Sequence, residues 1–202
     1  MRRWFLIAGA IILNSIGHSM TIVTNMGSMP WPASIVNIMH TMGWTMTETI
    51  FTEGTVVILL NALIARRWDW RGILKEFGFL LPYSILMQWF AGWWRFFGID
   101  RLMIWWRLGF DLLGLTTAFV GLAIYQSCQF CHPHDDLSVT LKHHFNGRFM
   151  QDFNMILPII IVVLCGLHNQ VVFAVNIGTV VGLFWQSRVV TFCDQYVLGQ
   201  IK

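Results

Sequence analysis

Apolar runs close to twenty residues long recur along this chain, the first of them "WFLIAGAIILNSIGHSMTIVT" over residues 4–24. A helix rising about 1.5 Å per residue needs about that length to cross roughly 30 Å of hydrocarbon. Short alternating segments of the barrel type are missing. The remaining runs lie near 49–65, 73–97, 106–127, 150–167 and 170–190, so the expectation is an all-α integral membrane protein with six transmembrane helices. Hydrophobic residues make up 56% of the 202 and charged ones only 11%, which leaves no stretch for a soluble domain. The whole of 1–202 is read as a single membrane domain. The first run follows Met1-Arg2-Arg3 as a signal peptide would, but "NMGSMP" after it is a turn and no small-residue cleavage pattern follows. It is read as a mature span.

Basic residues set the orientation, because positive charge stays on the cytoplasmic side. Arg2, Arg3, Arg66, Arg67, Arg71, Lys75, Lys142, Arg148, Arg188 and Lys202 fall on one side, against Arg95, Arg101 and Arg107 on the other. Ten against three puts both termini of a multi-pass protein in the cytoplasm. Trp93, Trp94, Trp105 and Trp106 flank the third outer connection as an interfacial belt. The net charge of +3 follows from this asymmetry, so no nucleic-acid partner is implied. The expected partners are the lipid bilayer and a small-molecule or ion substrate, with room for a homo-oligomer or a membrane partner.

The chain also resembles itself. "PWPASIVNIMHTM-GWTMTE" from Pro30 aligns on "PHDDLSVTLKHHFNGRFMQD" from Pro133 with one gap. Pro30/Pro133, Val36/Val139, His40/His143, Gly43/Gly147 and Met46/Met150 are identical, and "VVILLNAL" (56–63) overlies "IIVVLCGL" (160–167). Each half, about 1–98 and 106–202, is then a span, a proline-led polar segment and two further spans. Three crossings per half invert the second relative to the first, a layout that places substrate sites at the repeat interface. The segments after Pro30 and Pro133 are too short to cross, and proline suits a first helical turn. Both are expected to be short helices, interfacial or re-entrant, whose N-termini would favour an anionic group if they dip inward.

"YQSCQFCHPHDDLSVTLKHHF" (125–145) concentrates unusual chemistry in one place. Cys128-Gln-Phe-Cys131-His132 has the spacing of haem attachment, yet the charge count puts it inside, the wrong face for covalent attachment; no haem or other cofactor is expected. Cys128, Cys131, His132, His134 and Asp135 offer donors for a divalent transition metal, with Asp136, His143 and His144 nearby, but a second Cys-x-x-Cys half is missing. The plain alternative is a polar turn in which Asp135 caps the next helix. Free thiols are expected for Cys128, Cys131, Cys165 and Cys193.

Polar groups within spans carry the functional weight, since each is costly in lipid and faces a cavity or a partner. Asn14 and His18 fall on the first span, Glu53 on the second, Asp111 on the fourth and Asn176 on the sixth. Asp111 can pair with Arg107 one turn earlier. Glu53 has no basic neighbour within a turn, making it the leading proton-coupling or cation-binding residue, with His18 as partner. Trp31 and Asp135 open the two short helices, and His40 and His143 hold equivalent repeat positions. No Gly-x-Ser-x-Gly, His-Glu-x-x-His or Walker lysine occurs, so no enzyme is expected.

"GHSMTIVTNMGSMPW" (17–31) and "GLAIYQSCQFCHPHDDLSVTL" (121–141), the latter with Pro133-x-Asp135-x-Leu137, resemble the two copies of a patch in the bacterial YczE/YyaS/YitT membrane proteins. "TEGTVVILLNAL" from Thr52, with Glu53 at an acidic family position, and "NIGTVVGLF" (176–184) extend the likeness. The resemblance implies a six-span bacterial inner-membrane protein of permease type. Three functions follow as expectations: a secondary transporter or exporter of a small polar solute, a metal-handling protein using the Cys/His/Asp cluster, or an accessory protein that moves nothing.

Overall fold

The computed structural model of the protein describes residues 2–66, 68–128, 130, 132–145 and 149–198. Helix is the only regular structure among them, as expected where apolar surroundings leave backbone groups no partner but their own chain. In order they are α1 (Arg2–Thr24), α2 (Pro30–Met42), α3 (Met46–Ala65), α4 (Trp70–Phe96), α5 (Ile104–Ser127), α6 (Pro133–Phe145), α7 (Phe149–Asn169) and α8 (Ile177–Phe192). A 3-10 turn, Ile99–Arg101, precedes α5, and a π-helical turn, Cys193–Leu198, continues α8. Three of the expected spans, at Arg3–Thr24, Met46–Ala65 and Ile104–Ser127, are both long and apolar enough to cross a membrane.

Local chemistry explains the ends. Proline opens α2 and α6, where a missing N–H costs nothing. Gly43 closes α2 in the left-handed region, at φ 68°. Thr45 and Glu48 form a reciprocal capping box at the start of α3, and Asp69 accepts from the Arg71 N–H at the start of α4.

Helices α1 and α5 form the central contact, and they approach so closely that only small residues fit between them. A Cβ on Gly17 would collide with the backbone of Gly114 and Ala118, and one on Gly121 would lie 2.7 Å from the Asn14 nitrogen. Small residues let helix backbones touch where the surroundings supply no hydrophobic drive. Asn14 locks the contact through its Nδ2, which donates to the Ala118 carbonyl at 3.0 Å. Around this pair, α4 packs on α1 and α8 on α5, while α2 packs on α3 and α7, and α6 likewise on α3 and α7.

The sixth span departs from expectation. Residues 170–176 are apolar enough to extend a helix, but α8 begins only at Ile177. Their backbone is drawn out by polar groups of the first half of the chain. Asn37 pairs with both backbone groups of Phe173, donating from Nδ2 at 2.9 Å and accepting at Oδ1 at 3.1 Å. Ala174 donates to Asn25 Oδ1 at 2.7 Å and accepts from the Ser28 N–H at 2.9 Å, and Gly178 donates to the Met26 carbonyl at 2.9 Å. Asn176 is consequently the exposed N-cap of α8 and lies outside any span.

The α1–α5 contact makes a direct prediction. Gly17→Ala should destabilise the protein by about 1–3 kcal/mol through overpacking, whereas Gly9→Ala, whose Cβ meets nothing within 4 Å, should not. Thermal unfolding in detergent would compare them; equal midpoints would contradict the close approach.

Candidate functional site

The first turns of α2 and α6 face each other inside the protein. Pro30, Trp31 and Pro32 from one and His134 and Asp135 from the other line the same cavity of about 90 Å³, with Asn14 and His18 of α1 on its wall. Trp31 stacks on the His134 ring, centroids 3.9 Å apart and 11° from parallel. His134 in turn stacks on His132 at 4.6 Å, and His132 meets Phe79 and Tyr83 edge-on. Behind Trp31 lies a second, apolar groove of about 300 Å³ between α2, α3 and α7.

Glu53 faces that groove rather than the cavity. It is buried, with Oε1 accepting from Ser34 at 2.8 Å and Oε2 lying 3.7 Å from His134 Nε2. His134, not His18, is therefore the imidazole beside Glu53, because α6 packs directly on α3. His18 Nδ1, Trp31 Nε1 and Glu53 Oε2 are buried with no hydrogen-bond partner among the described residues. Unmade bonds to buried polar atoms are costly, and their concentration here marks the junction for a role beyond packing.

Electrostatics at the α6 end follow from burial. His132, in the connection before α6, accepts the His134 N–H on Nδ1 at 3.3 Å, so the neutral ring carries its proton on Nε2. Burial, with His18 adding a little, pushes its pKa down to about 3. Burial likewise holds the His134 imidazole well below the ordinary range, with His132 contributing. Burial raises the Asp135 carboxyl to about 6, opposed by the Tyr125 hydroxyl, which donates to Oδ2 at 2.7 Å. The Asp135 side chain accepts from Tyr125 of α5 and also from the His132 backbone at the start of α6, while its own N–H and that of Asp136 bond to the His132 carbonyl.

Other expected residues fall elsewhere. Asp111 is fully buried, yet among the described residues it forms no ion pair with Arg107; both bind Thr24 instead. The Thr24 hydroxyl donates to Asp111 Oδ1 at 2.7 Å and the Arg107 guanidinium to the Thr24 carbonyl, fixing α5 to the end of α1. His40 is exposed at the far end of α2 and stacks on Phe173. The His143 side chain and Cys131 lie outside the described residues. Cys128 is a buried free thiol whose carbonyl accepts from Arg3. Among the described residues no three His, Cys, Asp or Glu side chains converge on a metal, and the rings of His132 and His134 lie stacked rather than pointing at a common centre.

Several contributors escaped the sequence reading. Tyr83, Tyr125, Phe119 and Gln186 line the cavity from four residues that look like ordinary span positions. Asn61 was visible as a polar break in an apolar run; its Nδ2 donates to the Pro133 carbonyl at 3.0 Å and faces Glu76 at 3.4 Å. It ties α3 to the head of α6.

Nitrogen NMR of the protein in detergent checks the site's polarity. His132 should remain a neutral ring protonated on Nε2 from pH 8 down to pH 5; protonation of His132 within that range would contradict its burial.

Comparison with known proteins adds a family and little more. No curated protein and no solved structure matches the chain. A family model described as a family of unknown function, DUF6198, matches residues 1–195, and the chain belongs to that family.

Proposed function

We propose that the protein is a secondary transporter or exporter of a small polar solute in the bacterial inner membrane. In this reading α1, α3, α4, α5, α7 and α8 are six spans, arranged as two inverted three-span repeats with α2 and α6 as re-entrant half-helices. The observation that carries it is the meeting of the two proline-led first turns at one half-open cavity. Broken helices opening onto a cavity between repeats are a recurrent way of building a transport site.

The helix order supports the reading. A long helix, a 13-residue helix beginning with proline and two more helices follow one another twice. Exchanging α1 with α5, α2 with α6, α3 with α7 and α4 with α8 converts the α1–α4 packing into α5–α8, α2–α7 into α3–α6, and α2–α3 into α6–α7, whereas the α3–α4 packing has no comparable α7–α8 counterpart among the described residues. The three matched pairs support a pseudo-twofold relation, from which α3–α4 departs. Arg3 donates to the Cys128 carbonyl, which joins the start of α1 to the end of α5 at one face, as cytoplasmic termini and the basic-residue count require. The resemblance to the YczE/YyaS/YitT proteins points the same way.

Glu53 is the coupling residue in this mechanism. It is the carboxyl next to the junction, it has one serine donor, and its neighbour His134 belongs to the half-helix of the other repeat. A change in its proton occupancy acts directly on the contact between the halves.

Liposomes carrying the purified protein and a panel of radiolabelled small solutes test the proposal. Wild type should show saturable flux of at least one solute, and Glu53→Gln should reduce it by about tenfold or more, the loss expected on removing a coupling group worth about 1.4 kcal/mol or more, without lowering the unfolding midpoint. Unchanged flux in Glu53→Gln would remove the coupling role, and no flux for any solute would overturn transport itself.

A further inference from the structure

We propose that the cavity between α2 and α6 binds a small organic ammonium ion, with the Asp135 carboxylate as its countercharge and aromatic rings as its walls. The inference takes the cavity of the transport reading as its site and names the class of solute that fits it.

Two helix N-termini would ordinarily favour an anion, each acting like about half a positive charge with free N–H donors. Here those donors are spent. In the first turn of α2, Pro30 and Pro32 have no N–H, and the Ala33 N–H bonds to the Met29 carbonyl at 2.9 Å. In α6, Pro133 again has none, His134 donates to His132 Nδ1, and Asp135 and Asp136 donate to the His132 carbonyl. Among the described residues one amide, that of Trp31, is left over from the two helix starts.

The charge balance of the lining points the other way. Asp135 lines the cavity, and no lysine or arginine does so among the described residues. The neighbouring histidines are neutral in their burial, which leaves Asp135 as the charged group of the lining. A buried carboxylate that takes hydrogen bonds from the Tyr125 hydroxyl and the His132 backbone but has no lysine or arginine beside it among the described residues is complemented by a cation, and an anion would be repelled.

The walls select the kind of cation. Trp31, Tyr83, Phe119 and Tyr125 contribute ring surface, and Leu122 and Met155 close the apolar remainder. A hard cation such as calcium prefers about six to eight oxygen ligands, which this lining does not supply, and among the described residues no three His, Cys, Asp or Glu side chains converge as a transition metal needs. An ammonium bearing methyl groups uses π surface and apolar contact together. The modest volume of about 90 Å³ in a half-open cavity favours methylammonium to tetramethylammonium over ammonium ions bulky on every side.

Calorimetry and thermal unfolding of the full chain in detergent test the assignment, using methylammonium, tetramethylammonium and tetrabutylammonium chlorides, with sodium acetate as the anion. The two smaller ammonium ions should bind saturably and raise the unfolding midpoint, while acetate and tetrabutylammonium should not. Asp135→Asn should weaken binding about tenfold or more, as expected for loss of a desolvated countercharge. Phe119→Leu, a change that keeps an apolar side chain, should weaken it through the lost ring and serves if Asp135→Asn does not fold. Folded wild type that binds no ammonium ion, acetate binding in its place, or undiminished binding in both variants would overturn the site. Ammonium binding without flux in liposomes would overturn transport and leave the site standing; flux of another solute without ammonium binding would do the reverse.

Discussion

A helix that begins inside a bundle of apolar helices exposes backbone N–H groups where no water is at hand, and each one left unpaired is costly. The structure meets most of that constraint at both short helices, by proline in each and by His132 in α6. Pro30, Pro32 and Pro133 delete donors outright, and the His132 carbonyl and ring collect those that remain in α6. Because both starts are neutralised from within, the two half-helices can meet head to head, with Trp31 and His134 stacked between them. The cavity, the position of Glu53 and the orientation of Asp135 all depend on that meeting.

The surrounding helices hold the junction from both sides. Small residues let α1 and α5 close up, and Asn14 and His18 of α1 reach the cavity from there. On the other side, α3 grips both half-helices: Glu53 accepts from Ser34 of α2, and Asn61 donates to Pro133 of α6. Asn37 of α2 holds the stretch before α8 open. Buried polar contacts of this kind contribute little net stability each, about 1 kcal/mol, but they define which groups adjoin. A shift in one half-helix is therefore felt by the opposite half of the chain.

Much of this was legible in the residues. Pro30 and Pro133 do open two helices of equal length, and the apolar runs at 4–24, 49–65 and 106–127 do form long apolar helices. Hydropathy failed at 170–176, because it registers apolar side chains and is blind to Asn37 and Asn25 competing for the backbone from far along the chain. At the cysteine–histidine cluster the rings of His132 and His134 lie stacked and no three donor side chains converge among the described residues, with Cys131 outside them. Glu53 was recognisable as an unpaired carboxyl in an apolar run, but its neighbour was not. Whether His18 or His134 lies beside it depends on how deeply α6 inserts, and no local pattern carries that information. Tyr125 was equally hidden, since a tyrosine near the end of a span reads as an interfacial anchor.

Cross-linking in intact membranes measures the head-to-head contact most directly. In a chain with Cys128, Cys131, Cys165 and Cys193 replaced by serine, Trp31→Cys and His134→Cys together should be bridged efficiently by a short dithiol-specific reagent. Met42→Cys with His134→Cys, placing one thiol at the opposite end of the 13-residue α2, should not be. Equal yields from the two pairs, or none from the first, would contradict the meeting of the half-helices.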